Sequence, residues 1–179
     1  MKRSSRPEGT LLPPRRFVPV GPVEWAMPSS QEPAFVRNST KQVKGNMRKG
    51  LKYEQRFSEN MLERFDDYYV PGPWFHYKEI GKERTRWCQP DGLLFIPEQS
   101  RIILYEVKLK HTSDAWWQLR FLYLPVLSRM FPPDKWSYVL MEITHWYDPH
   151  IAFPERVRMC PDVLSAEPGE FGVHIWIPR

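Results

Sequence analysis

A run of nine residues, 101–109 (RIILYEVKL), limits the possible folds more than any other feature of the chain. Because successive side chains of a β-strand point to opposite faces, both faces of this segment are largely apolar. A strand that buries both faces needs a packed layer on each side of its sheet. The run therefore predicts a central strand of an α/β fold. Glu106 and Lys108 are two charged residues side by side on one of its otherwise apolar faces.

The rest of the chain supplies the layers that such a strand needs. Apolar periodicity and capping residues predict two helices, the second kinked at Pro125, and alternating or β-branched runs predict the strands. The elements follow one another as a helix at 50–66, strands at 74–80, 87–96 and 101–109, a helix at 115–130, and strands at 137–146 and 172–177. We expect an α/β sandwich around a central mixed sheet, with 87–96 and 101–109 joined as a hairpin.

The basic residues are concentrated near the N-terminus. Residues 1–50 carry ten Lys and Arg against three Glu, a balance of +7, whereas the remainder has 16 basic and 18 acidic residues, a balance of −2. Residues 1–48 also hold seven of the 19 prolines, which favours an extended arm. We therefore divide the chain into a basic, proline-rich arm, residues 1–48, and a folded domain, residues 49–179. Such an arm is typical of nucleic-acid binding, although a solvated charged tail has the same composition.

Two further observations bear on where the protein works. No stretch reaches the ~18 consecutive apolar residues of a membrane-spanning helix, so we expect no membrane association. Cys88 and Cys160 lie far apart, without a neighbouring cysteine or a histidine at zinc-binding spacing. This pattern fits a reducing compartment, and the sequence predicts a cytoplasmic protein.

Glu54 differs from the other acidic residues of the first predicted helix. At about 100° per residue, Phe57, Met61 and Phe65 form an apolar stripe and Glu54 falls in its middle, whereas Glu59 falls on the charged side. A carboxylate that faces a core needs a cation or another partner, because its desolvation is costly. Glu54 is therefore a candidate site residue. The alternative is an ordinary salt bridge at the start of the helix.

The hairpin register brings a second carboxylate beside Glu106. A four-residue loop at 97–100 pairs Ile96 with Arg101, and the same register pairs Asp91 with Glu106. Paired Cβ atoms lie roughly 5 Å apart, and two carboxylates this close repel unless a cation lies between them. Oxygen ligands of this kind suit Mg²⁺, with Mn²⁺ able to substitute. Asp-Gly alone is also typical of a simple turn.

These residues resemble the signature of a known superfamily. Pro90-Asp91, fourteen residues and then Glu106-Val107-Lys108 are similar to the motif of the PD-(D/E)XK nucleases. Glu54 matches the superfamily's frequent extra acidic residue, and residues 50–54 (GLKYE) resemble the first-helix start of archaeal Holliday-junction resolvases and some phage nucleases. The resemblance implies a restriction-endonuclease-like αβββαβ core, with a central mixed sheet flanked by helices, and makes residues 49–179 a nuclease domain.

The resemblance also implies roles for the site residues. Asp91, Glu106 and the carbonyl of Val107 would hold Mg²⁺, and Glu54 would bind a second metal or hold a metal-bound water. Lys108 would orient the nucleophile and stabilise the charge of the transition state.

Gln118 enters through a narrower resemblance. Some nucleases of the RecB and phage-exonuclease type carry a Gln with a Tyr four residues later on the helix after the motif. In this chain Tyr123 follows Gln118 one position late. The match therefore leaves the exonuclease subclass open.

The hypothesis of a DNA-cleaving enzyme identifies basic residues that would contact the DNA backbone. They precede the first helix or follow the central strand, and they are Arg37, Lys41, Lys44, Arg48, Lys49, Lys110 and His111. The small domain favours a structure-selective endonuclease or Holliday-junction resolvase, with a homodimer formed through the arm. Two alternatives stay open: an exonuclease that processes DNA ends, and a catalytically inactive nucleic-acid-binding protein with a nuclease-like fold. A phage-encoded protein of this kind would work in the host cytoplasm.

Overall fold

Two sheets and four helices make up the part of the chain that the computed structural model describes, residues 17–37, 44–151, 153 and 155–178. The strands are β1 (Val23–Ser29), β2 (Tyr69–Pro71), β3 (Trp74–Glu79), β4 (Arg86–Cys88), β5 (Gly92–Ile96), β6 (Arg101–Lys110), β7 (Ser137–Trp146), β8 (Val157–Cys160) and β9 (Phe171–Ile175). The helices are α1 (Ala34–Arg37), α2 (Gly45–Phe65), α3 (Ser113–Gln118) and α4 (Leu124–Met130), and a π turn (Leu119–Tyr123) joins the last two. Within these ranges, no helix is both long and apolar enough to cross a membrane.

The larger sheet is mixed, as the sequence predicts. Its six strands follow the order β2-β5-β6-β7-β9-β8. β5 and β6 form the expected antiparallel hairpin, with Ile96 opposite Arg101, and β6 runs parallel to β7. The prediction of an α/β protein with a central mixed sheet is confirmed.

A packed layer covers each face of β6. On one face α2 contributes Tyr53, Phe57 and Met61 to a core that includes Ile103 and Tyr105 of β6. On the other face the α3–α4 helix packs against alternate residues of the same strand, and the smaller sheet, in the order β1-β3-β4, packs into that second core. Both faces of the strand are therefore buried, as its apolar composition requires.

The strand beside β5 in the larger sheet is not the predicted strand 74–80. The run 74–80 forms β3, which belongs to the smaller sheet, and the shorter strand β2 lies beside β5 in the larger sheet. The predicted strand 87–96 is also divided, into β4 and β5. Each half pairs in a different sheet, so the break at residues 89–91 carries the chain from one sheet to the other.

Part of the predicted arm lies on the folded body. β1 pairs antiparallel with β3, and the backbone N–H of Val20 donates to the carbonyl of Phe121 at 2.8 Å. α2 begins at Gly45, so the predicted boundary between residues 48 and 49 lies within a helix. The sequence missed β1 because its proline content suggested irregular structure. Pro28 lies in this strand at the edge of the smaller sheet, which is where a strand tolerates proline.

Pro125 explains the irregular turn in the second long helix. Its nitrogen has no hydrogen, so it cannot bond to the carbonyl of Phe121 four residues earlier. The preceding turn widens instead, and the N–H of Leu124 donates to the carbonyl of Leu119, five residues back. The carbonyl of Phe121 accepts the N–H of Val20 in place of the missing helical bond. The distortion expected at Pro125 is thus a π turn just before it.

A side chain at residue 92 would overlap a buried ring, so glycine is required at this position. A Cβ built at Gly92 would lie 2.3 Å from the hydroxyl oxygen of Tyr69 and 2.7 Å from its Cε2 atom. We expect Gly92→Ala to lower the free energy of unfolding by about 1–3 kcal/mol, because the buried ring of Tyr69 would have to shift. Gly50→Ala, in α2 with no atom within 4 Å of the added carbon, should raise it by about 0.5–1 kcal/mol. Urea denaturation of both variants tests the contact, and equal stabilities would contradict it.

Candidate active site

Asp91 lies where the hairpin ladder ends. The last pair of β5 and β6 is Gly92 with Tyr105, and Asp91 is the next residue. Its Oδ2 atom accepts a hydrogen bond of 2.6 Å from the backbone N–H of Val107. The carboxylate is therefore held against the segment of β6 that carries Glu106. The predicted pair of Asp91 with Glu106 falls one step beyond the last pair of the ladder.

Glu106 and Lys108 form an ion pair on one face of β6. The ammonium of Lys108 donates to Oε1 of Glu106. Glu106 is 2% exposed, and its Oε2 atom has no hydrogen-bond partner among the described residues. A buried carboxylate oxygen without a partner is costly in free energy. This oxygen is therefore a position at which a ligand would be stabilising.

The pKa of each of the three carboxyl groups in this cluster is raised. Burial and the negative charges of Asp91 and Glu54 raise the pKa of Glu106 to about 8. Burial and the charge of Asp91 raise the pKa of Glu54, on α2, to about 7, and burial raises the pKa of Asp91 as well. The structure thus brings together the four residues on which the sequence hypothesis rests, Glu54, Asp91, Glu106 and Lys108.

Lys108 remains protonated in this setting. Burial lowers its pKa, but the carboxylates of Glu106 and Asp91 have the opposite and larger effect, so the pKa of Lys108 is raised. A general base would need a lowered pKa near the working pH. The arrangement favours a role as a fixed positive charge.

Glu54 lies at the edge of the buried stripe of α2. Its side chain is half-buried, whereas Tyr53, Phe57 and Met61 are fully buried. Leu62 is 41% exposed, so the buried face of the helix is rotated toward Tyr53 relative to the prediction. The rotation has a cause in packing, because the hydroxyl of Tyr53 donates to the carbonyl of Trp176 at 2.8 Å.

The oxygen atoms of the cluster are suitable ligands for a divalent cation, but they are not positioned around a common centre. Within the described part of the chain, no group of three or more His, Cys, Asp or Glu side chains is arranged to hold a metal ion. One predicted ligand oxygen is engaged by the N–H of Val107 and another by Lys108. Carboxylate oxygens are nevertheless the donors that Mg²⁺ and Mn²⁺ prefer, and Oε2 of Glu106 is unpartnered within that part. The ligand type of these residues, carboxylate oxygen, therefore suits a hard cation.

The π turn brings Gln118 and Tyr123 together despite their spacing. Five residues make one turn there, and Nε2 of Gln118 lies 3.4 Å from the hydroxyl of Tyr123, to which it donates. Tyr123 is buried, and its pKa is raised by burial, by the charges of Glu106 and Asp91 and by a side-chain hydrogen bond to the Glu106 carboxyl. Tyr123 is thus a site residue that the sequence hypothesis left out. The only signal for the turn in the sequence is Pro125.

His111, a predicted DNA contact, lies in the protein interior. It is fully buried, its Nδ1 atom lies 2.7 Å from Oε2 of Glu142, and its ring packs at a tilt against the rings of Tyr147 and Phe153. The other oxygen of Glu142 accepts the backbone N–H of Thr112 at 3.2 Å. This buried pair anchors the loop that leads from β6 into α3. Sequence reasoning missed it because Glu142 comes from a different strand.

The remaining predicted DNA contacts divide into two groups. Lys44, Arg48, Lys49 and Lys110 are exposed and accessible to a polyanion. Lys41 and the side chain of Arg37 lie outside the described residues.

Comparisons of the chain with known protein families, with curated proteins and with solved structures give no match.

Proposed function

We propose that this protein is a metal-dependent nuclease that hydrolyses phosphodiester bonds in DNA. The observation that carries the proposal is the partly buried cluster of Glu54, Asp91, Glu106 and Lys108. Three carboxyl groups with raised pKa values, arranged around one lysine, are costly to fold, and they are typical of functional sites. A site of this composition suits phosphoryl chemistry, in which a cation neutralises the charge of the reacting phosphate.

We further propose a restriction-endonuclease-like core. The order α2, β2, β5, β6, α3–α4 and β7 supports it, because these elements follow the pattern αβββαβ with an antiparallel hairpin and a parallel last strand. In this assignment β2 replaces the strand that the sequence suggested.

The residues would divide the chemistry as follows. Asp91, Glu106 and the carbonyl of Val107 would hold Mg²⁺ or Mn²⁺, and Glu54 would hold a second ion or a coordinated water. A bound ion would lower the pKa of a water molecule and polarise the phosphate. Lys108 would place its positive charge against the phosphate as negative charge develops.

The favoured class is a structure-selective endonuclease or Holliday-junction resolvase, the class that residues 50–54 of α2 resemble. An exonuclease is the second candidate, supported by the contact between Gln118 and Tyr123. A homodimer joined through the arm remains a prediction that light scattering would test. We also propose a cytoplasmic location, in the host if the protein is phage-encoded, and the free, buried thiols of Cys88 and Cys160 are consistent with a reducing compartment.

The proposal is tested by incubating the pure protein with supercoiled, linear, flapped and four-way-junction DNA and with single strands, in Mg²⁺ and in EDTA. We expect cleavage in Mg²⁺, cleavage in Mn²⁺, and none in EDTA. Cut junctions or flaps identify an endonuclease, whereas stepwise loss of end label identifies an exonuclease. Binding without cleavage of any substrate would support the inactive alternative and contradict the proposal.

The rate of cleavage should depend on pH in a defined direction. Glu54 and Glu106 are protonated below pKa values of about 7 and about 8, and a protonated carboxyl does not bind a cation. We expect the rate to rise between about pH 6 and about pH 9, with a midpoint that moves to lower pH as Mg²⁺ increases, because metal and protons compete. A midpoint independent of Mg²⁺ would show that these carboxyls are not ligands.

A further inference from the structure

A groove runs between α2 and the ends of β6 and β7. It has a volume of about 440 Å³, and its lining includes Lys49, Lys52 and Arg56 from α2 and Trp146 from β7. Tyr53 and Leu109, which line the groove, are the sequence neighbours of Glu54 and Lys108, and Leu109 lies on the opposite face of β6 from Lys108.

The charged side chains that line the groove are all positive. Lys49, Lys52 and Arg56 are spaced three and four residues apart, so they share one face of α2. All three are exposed, and none forms a salt bridge with a described residue. Among the described residues that line the groove, none is acidic. Unpaired cations in a row are suited to the phosphates of a polyanion.

Trp146 adds an aromatic surface beside these cations. Its side chain is 62% exposed, yet its ring meets that of His145 edge-on, with centroids 4.7 Å apart. His145 in turn packs edge-on against the buried Tyr53, with centroids 5.8 Å apart. An exposed indole that is supported in this way is a platform for stacking, because little side-chain freedom is lost when a base lies on it.

We propose that this groove binds an unpaired strand of nucleic acid, with phosphates on Lys49, Lys52 and Arg56 and a base stacked on Trp146. An unpaired strand fits the groove better than a duplex, because the face of a base is open to an indole only when the base is not stacked within a helix. The inference rests on the proposed function and makes it more specific. An unpaired strand of this kind occurs at a flap, a frayed end or an open junction.

The test measures binding in EDTA, where no cleavage is expected. Fluorescence anisotropy of labelled 15-nucleotide dT and rU strands and of a 15-base-pair duplex gives the dissociation constants. We expect the single strands to bind at least about tenfold more tightly than the duplex. Trp146→Ala should weaken single-strand binding about tenfold and duplex binding less than about twofold. Lys52→Ala and Arg56→Ala should each reduce the salt dependence of single-strand binding by about 0.7 in slope.

Two exposed residues outside the groove provide matched controls. Tyr68→Ala removes an aromatic ring that is 49% exposed, and Lys135→Ala removes an exposed cation. Both variants should bind single strands as the wild type does. Equal or tighter binding of the duplex, or Trp146→Ala binding within twofold of the wild type on dT and rU, overturns the inference.

The outcomes separate this inference from the proposed nuclease. A protein that binds single strands through Trp146 and cleaves nothing contradicts the nuclease and supports the groove. A protein that cleaves DNA but shows no dependence on Trp146 contradicts the groove alone. Preference for rU over dT supports an unpaired strand and contradicts DNA as the substrate.

Discussion

The Lys108→Ala protein is expected to cleave DNA about 10²–10³ times more slowly than the wild type in saturating Mg²⁺. Its ammonium is the positive charge that contacts Glu106, and the pKa of Lys108 is raised, so alanine removes a full charge from the site. Removal of this charge also takes away an effect that lowers the pKa of Glu106. The midpoint of the pH–rate curve should therefore move to higher pH. Single-turnover cleavage with excess protein measures both quantities.

Lys135→Ala is the matched control for this variant. Lys135 is exposed and is not among the predicted DNA contacts, so its loss should change the single-turnover rate less than about threefold. Asp91→Asn should also be slow, but it should need more Mg²⁺ for half-maximal rate, which Lys108→Ala should not. A Lys108→Ala protein that cuts within threefold of the wild type removes Lys108 from the mechanism.

The largest loss of stability is expected from Glu142→Leu. Glu142 and His111 are both fully buried and bonded to each other, and Glu142 also accepts the N–H of Thr112. Leucine fills similar space but leaves the imidazole and the amide without their partner in the core. Breaking one side of such a pair costs about 3–5 kcal/mol. Urea denaturation followed by tryptophan fluorescence measures the change in the free energy of unfolding.

Glu142→Gln separates hydrogen bonding from size and packing. The amide keeps one acceptor and one donor at the same place, so it should cost about 1–2 kcal/mol. If Glu142→Leu is as stable as Glu142→Gln, the pair with His111 does not stabilise the fold. Because the pair anchors the start of α3, Glu142→Leu should also slow cleavage at temperatures where the protein is still folded.

The hairpin was predictable because its signals are local. A four-residue turn fixes the register of two adjacent strands, and that register determines which residue lies beside Glu106. The position of Asp91 beside β6 could therefore be inferred from counting alone. The same holds for the ion pair of Glu106 and Lys108, since two residues apart on one strand always share a face.

Long-range pairing was not predictable in the same way. Nothing local distinguishes β2 from β3 as the partner of β5, because both are short and partly apolar. The burial of His111 depends on Glu142, which lies in register with Glu106 on the neighbouring parallel strand, and a parallel register is not fixed by any turn. The orientation of α2 likewise depends on Trp176, 123 residues away from Tyr53.

The π turn between α3 and α4 keeps the helix in phase with the sheet. A regular α-helix turns by about 100° per residue, so one added residue would rotate everything beyond it by that angle. At the turn the extra residue is absorbed locally, and Val126 and Leu127 still point into the core. Before the turn, Gln118 contacts Tyr123 near the site. After the turn, Val126 and Leu127 pack in the core. A search for Gln and Tyr four residues apart would miss this helix. What brings Gln118 and Tyr123 together is their angle around the helix axis, and the π turn gives that angle at a spacing of five.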